Sequence, residues 1–280
     1  MLFILLFKYL PMVWISIAFQ DFNIFKGLGG SPWVGFKHFG RLLGSSDFWN
    51  VFRNTFLINV YRIAFIFPVP IIIALLLNEV RHSLFKRVVQ MVVYLPHFLS
   101  WVVISALFIQ ILSTDGGMVN QFLGLFGAKP IAFLMDSRYF RTVLVVTAAW
   151  KDVGWNSIIY LAAITGIDPH LYEAAEVDGA GRFAKMRYVT MPGIASTVVV
   201  LLLLRMGQIL NSFFDQVLVF YNPLVYDVGD VIGTYVYRIG LGKMEYSFGT
   251  AVGLFNSLIG FTLIIGANWV TKRISDRSIW

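Results

Sequence analysis

Arg205, Gln208, Ser212 and Asp215 are spaced three, four and three residues apart. On a helix they share one face. Lys151, Asp152, Trp155 and Asn156 make a second polar and aromatic patch. Both groups sit inside runs that are otherwise apolar. Arg62, Lys151 and Arg205 each lie about ten residues into such a run, ~15 Å deep at ~1.5 Å of rise per residue. Side chains of these types hold a polar solute by hydrogen bonds, charge and stacking. Ionisable groups at that depth are costly and mark a solute or ion path. The alternative is structural: Arg205 pairs with Asp152 or Asp215, Asn156 and Gln208 join helices, and Trp155 packs. Catalysis finds little support. The four histidines, His38, His82, His97 and His170, are scattered, and the chain has no cysteine, which excludes disulfides, thiol chemistry and cysteine metal sites.

The elements that position these residues follow from composition. Of 280 residues, 58% are hydrophobic and 13% charged, with a mean hydropathy of +0.74. A soluble domain averages about 25% charged residues. Lipid is therefore the expected solvent, and the net charge of +7 reads as orientation and anionic lipid rather than nucleic acid. A bilayer core needs about 20 apolar residues in a helix. Six runs qualify, near 1–20, 53–77, 88–112, 141–166, 194–220 and 246–271. Barrel strands would be about 10 residues long with alternating polarity, which these runs are not. The expectation is an all-α membrane protein of six transmembrane helices, one domain over 1–280.

The first run lacks the basic flank and small-residue cleavage site of a signal peptide, and its missing flank suggests an N-terminus that starts late. Basic residues orient the rest. Arg81, Lys86, Arg87, Arg182, Lys185, Arg187, Lys272, Arg273 and Arg277 lie in one set of connections. They are about twice as dense there as basic residues are in the other set, which makes their side, and both termini, cytoplasmic. Gly249, Gly253, Ser257 and Gly260 form a small-residue stripe on the sixth run, suited to close helix packing. Residues 79–90, basic and partly apolar, suit an interfacial helix end.

The loop 168–192 faces the cytoplasm in this arrangement. Asp168 can cap a helix and Pro169 suits its first position. Gly179 and Gly181 can end that helix, and a second short helix is expected from Phe183 to Val189. Ala174, Ala175 and Ala180 leave room for another surface. Glu173, Glu176, Asp178, Arg182 and Lys185 offer it ion pairs. The same residues are compatible with a solvated linker.

Glu173-Ala174-Ala175, Asp178-Gly179-Ala180 and Met191-Pro192 resemble the EAA loop of binding-protein-dependent ABC importer permeases. Met186, Met191 and Ser196 depart from that pattern, where an aromatic, a leucine and a proline are usual. Residues 33–55 resemble the first outer segment of sugar-importing permeases. Residues 221–241 and 246–261 resemble the subgroup serving polysaccharide fragments, including lipoprotein-dependent and alginate-type importers. The resemblance implies a type I permease in the bacterial cytoplasmic (inner) membrane. It implies a second permease, a cytoplasmic ATPase dimer and an external solute-binding protein as partners. Glu173, Ala174, Ala175, Asp178, Gly179 and Ala180 would form the coupling helix. In maltose-type relatives the sugar pocket falls on positions matching Lys151, Asp152, Trp155, Arg205, Gln208 and Ser212. The chain has no Gly-x-x-x-x-Gly-Lys-Ser/Thr loop, so ATP and magnesium belong to the partner and no cofactor is expected here. An ATP-independent secondary transporter, marked by inverted repeats and acidic coupling sites, is the competing reading. Three deep cations against Asp152 and Asp215 suggest an acidic oligosaccharide, with a neutral one as the alternative.

Overall fold

The computed structural model describes residues 2–207 and 213–275. Gln208 and Ser212, expected on the polar face of the fifth span, lie outside the described residues. Among these residues the fold is all-helical, with one isolated antiparallel bridge between Gln20 and Trp33. Helix α1 covers Leu2–Phe19, and the short α2 covers Lys37–Leu43. The long α3 runs over Ser46–Glu79. Helices α4 (Ser83–Phe98) and α5 (Trp101–Ile111) meet at a bend of 104°. Helix α6 is Met118–Gly124 and α7 is Ser137–Thr165. Helix α8 is Pro169–Val177, followed by α9, Arg182–Met206. Helices α10 (Phe214–Phe220) and α11 (Ile232–Val236) precede the last helix, α12, Tyr246–Ser275.

Four helices, α1, α3, α9 and α12, are long and apolar enough to cross a bilayer, and α4 with α5 makes a fifth if the bent pair is one span. The remaining expected span, the fourth in chain order, is α7, with 29 residues, about 43 Å at ~1.5 Å each. It carries Arg138, Arg141, Lys151 and Asp152, which dilute its apolar character. Large apolar side chains line the outside of the bundle, among them Phe7 and Trp14 on α1, Leu76 on α3 and Phe261 on α12. Exposure on this scale is stable in lipid and not in water.

Proline shapes three of these helices by one mechanism. Its ring removes an N–H and crowds the carbonyl four residues back. In each case the preceding turn widens so that the residue before proline donates five residues back. Leu10 N–H bonds Leu5 O ahead of Pro11, Phe67 N–H bonds Arg62 O ahead of Pro68, and Met191 N–H bonds Met186 O ahead of Pro192. The helix continues in each case. Pro192 therefore does not end a separate short helix at 183–189, as expected from sequence. Helix α9 runs from Arg182 to Met206 through that wide turn.

Helices α3, α7 and α9 pack around Ile71, Ala74, Tyr160, Ile164 and Ile194. A second core joins α3, α7 and α10 through Ile58, Phe140, Leu144, Val217 and Phe220. Helix α7 is the axis of the bundle, and Gly154 lets α4 reach it. A Cβ at Gly154 would stand 2.0 Å from Val93 O, so only glycine permits this approach.

Candidate functional site

One face of α7 meets the break between α4 and α5. Pro96 sits in a short 3-10 turn, Leu95–Phe98, and Ser100 caps α5 by accepting from Val103 N–H. A break strands backbone carbonyls that a helix would satisfy. Lys151 satisfies two of them. Its ammonium donates to His97 O at 2.8 Å and to Leu99 O, and lies 5.5 Å from the Trp101 ring. Asp152 faces His97 Nδ1 at 3.5 Å and Arg62 at 3.8 Å. Trp155 stacks on His97, with ring centroids 4.6 Å apart.

Arg62 is buried and donates to Gln216 Oε1 at 2.8 Å. Gln216 in turn donates to Leu144 O at 2.7 Å and Thr147 Oγ1 at 2.8 Å. The Arg62 guanidinium also lies 5.0 Å from the Phe213 ring. This network ties α3, α7 and α10 at mid-bundle. A buried cation that kept no such partners would cost several kcal/mol.

Arg205 stands apart. Among the described residues no carboxylate pairs with it. It lines a cavity of about 160 Å³ with Asn156, Tyr160, Phe67 and Leu204. The three deep cations therefore have three fates. Lys151 is taken by carbonyls, Arg62 by Asp152 and Gln216, and Arg205 remains open to the cavity. Sequence reasoning grouped Lys151, Asp152, Trp155 and Asn156, and the structure sets the first three against the α4–α5 break and Asn156 on the cavity wall. It missed His97, Phe98, Tyr160 and Gln216. Pro96 in the third run was the signal for the first two, because it breaks the helix at the depth of Lys151.

The loop folds as its residues dictate. The Asp168 carboxylate accepts from His170 N–H at 3.0 Å, and Pro169 opens α8. At the other end Ala180 N–H bonds Ala175 O at 2.8 Å and Gly179 N–H bonds Glu176 O at 3.0 Å. That paired closure needs a left-handed residue, and Gly179 has φ +78°. Leu171, Val177 and Phe183 are exposed around Ala174 and Glu173. Lys185 pairs with Glu176 at 2.6 Å and holds its carboxyl below the usual range. Glu173 meets His170 at 3.2 Å, while Asp178 and Arg182 form no ion pair among the described residues. On α12, Gly249 packs against Gly240, where its Cβ would stand 2.9 Å from the Cα. Gly253 faces open space and lines a groove of about 530 Å³ with Ser257, Tyr237 and Phe214.

A polar seam inside an apolar helical bundle, with a small capped helix outside it, defines a membrane transport subunit. The chain belongs to the family of binding-protein-dependent transport system inner membrane components, whose pattern matches residues 66–277. It is thus a multi-pass ABC importer permease, and ATP hydrolysis belongs to other chains of such systems. Over 279 residues it is 44% identical to the polygalacturonan/rhamnogalacturonan transport system permease protein YteP of Bacillus subtilis (strain 168), covering 100% of this chain and 87% of that one. It superposes with a TM-score of 0.91 and 38% identity on a chain of a bacterial ABC transporter involved in the import of the acidic polysaccharide alginate, covering 98% of this chain and 92% of that one. A second alginate transporter structure, in complex with an alginate pentasaccharide-bound periplasmic protein, matches at TM-score 0.91 and 37% identity over 99% and 93% of the two chains.

Proposed function

We propose that this permease carries oligosaccharides of acidic, uronate-containing polysaccharides across the membrane. The observation that carries the reading is Arg205: a cation within a span, without a carboxylate partner among the described residues, on the wall of a cavity. A guanidinium there can grip a solute carboxylate through two parallel hydrogen bonds. One similar protein is named for polygalacturonan/rhamnogalacturonan transport and another is involved in the import of the acidic polysaccharide alginate, which supports the same class of solute. Asn156 shares the cavity, and Trp155 and Asp152 stand beside it on α7. Gln208 and Ser212 complete the polar face in sequence. Lys151 holds the path's wall.

The functional assembly contains a second permease, a cytoplasmic ATPase dimer and an extracytoplasmic solute-binding protein. ATP and magnesium reside in the ATPase, and this chain uses no cofactor. The loop 168–192 is the coupling element. Glu173, Ala174, Ala175, Asp178, Gly179 and Ala180 form a small, charged and apolar surface that seats in the ATPase. Both chain termini lie in the cytoplasm. The groove beside Gly253 and Ser257 belongs to the seam with the second permease. Transport into proteoliposomes tests the reading. The assembled importer should accumulate uronate oligosaccharides in preference to neutral ones of equal length. Equal uptake of both would leave Arg205 a structural residue.

A further inference from the structure

The break between α4 and α5 brings three rings together. The His97 and Trp155 rings lie parallel, 3° between planes, and Phe98 meets Trp155 edge-on with centroids 5.5 Å apart. This cluster is not closed over. Phe98 is 70% exposed and Trp155 is 39% exposed. His97 keeps 33% of its side chain open while its Nδ1 is buried against Asp152, so the open part of the ring lies away from that carboxylate. Asp152 and Asn156 are half-buried at the rim.

The surroundings decide what such a cluster meets. An ionisable rim at this depth faces a bundle interior or a water-filled cavity, not lipid. A ledge of open aromatic faces beside carboxylate and carboxamide groups suits a sugar ring. The C–H face of a pyranose lies on an aromatic ring, and its hydroxyls reach the polar rim. Stacking tolerates differences between sugars and is modest per contact, so it lets a solute pass without trapping it. Asn156 links the ledge to the Arg205 cavity, since it follows Trp155 in the chain and lines that cavity.

We propose that His97 and Phe98 are solute-contacting residues. The broken span lays them beside Trp155 as an aromatic ledge that takes one sugar ring, next to the carboxylate site at Arg205. Lys151 is the positioning residue for this ledge, because its ammonium holds the carbonyls of His97 and Leu99. The proposal rests on the carbohydrate-import reading given above.

The test uses the assembled importer with its loaded binding protein in proteoliposomes. A uronate oligosaccharide bearing a diazirine is photolysed during ATP turnover, and adducts are mapped by mass. Adducts should appear on His97, Phe98 or Trp155. Phe98→Ala should slow transport about three- to tenfold, the scale of one aromatic contact, while Phe98→Trp restores it. Adducts elsewhere on this chain, with normal transport by Phe98→Ala, would overturn the ledge and leave the import reading intact. Efficient cross-linking of a cysteine at Phe98 to the second permease throughout the cycle would also overturn it, because a subunit would then cover the ledge. A parent importer that moves no carbohydrate would overturn both readings.

Discussion

The Lys151 ammonium donates to the backbone carbonyl of His97 at 2.8 Å, and this bond joins the middle of α7 to the break in the third span. A lysine at that depth invites a role in solute binding. The geometry gives it another, as the group that satisfies carbonyls released where the helix is broken.

Lys151→Met should therefore destabilise the permease more than it alters solute choice. A charge-assisted hydrogen bond contributes about 1.5–3 kcal/mol, so thermal unfolding in detergent should begin several degrees lower. The ratio of acidic to neutral uptake should stay near that of the parent. An unchanged unfolding temperature with a lost acidic preference would make Lys151 a solute ligand instead.

Gly154→Ala should be poorly tolerated, and Gly253→Ala should not. The first adds a methyl 2.0 Å from Val93 O, whereas the second adds one that meets nothing within 4 Å. Overpacking costs about 1–3 kcal/mol or more. Thermal unfolding of the two variants side by side checks the contrast. Equal stability would mean α4 and α7 do not approach as closely as the structure has them.

Much of this fold is legible in the sequence because hydropathy and capping are local. Asp168, Pro169 and Gly179 announce α8, and the structure forms the cap and the left-handed turn they call for. The polar face of α7 is equally plain. Other features depend on contacts between distant residues. Nothing near Lys151 reveals that its partners are carbonyls at 97 and 99, and nothing near Gly154 reveals Val93. Pro192 misleads for a subtler reason. A wide turn over Met186–Thr190 absorbs it, so the helix expected to stop there continues into α9.

Glu173→Lys and Gly179→Leu probe α8 and its closing turn as the proposed ATPase contact. The first reverses charge on its exposed face. The second forces a side chain into a backbone of φ +78°, at a cost of about 1–2 kcal/mol. Both proteins should insert into the membrane normally and lose most solute-stimulated ATP hydrolysis in the assembled importer. Normal coupling by both would place the ATPase contact elsewhere.

Cysteine labelling reads the orientation directly, since the native chain has no cysteine. Ser46→Cys and Asp227→Cys lie at exposed positions and should react with an impermeant maleimide from outside intact cells. Ser275→Cys should react only after the membrane is opened. The opposite pattern would reverse the topology.

The most direct measurement of the central claim is the uptake of matched acidic and neutral oligosaccharides by Arg205→Gln. Arg62 and Lys151 are engaged by protein groups, so among the described residues Arg205 is the deep cation left to meet a solute carboxylate. Glutamine keeps hydrogen-bonding capacity and removes the charge. The replacement should lower uptake of the uronate oligosaccharide at least about tenfold, the effect of losing about 1.4 kcal/mol of charge-assisted binding. Neutral uptake should change little, and Gln208→Ala should lower acidic uptake far less. Unchanged acidic uptake by Arg205→Gln, or an equal loss for both solutes, would contradict the account.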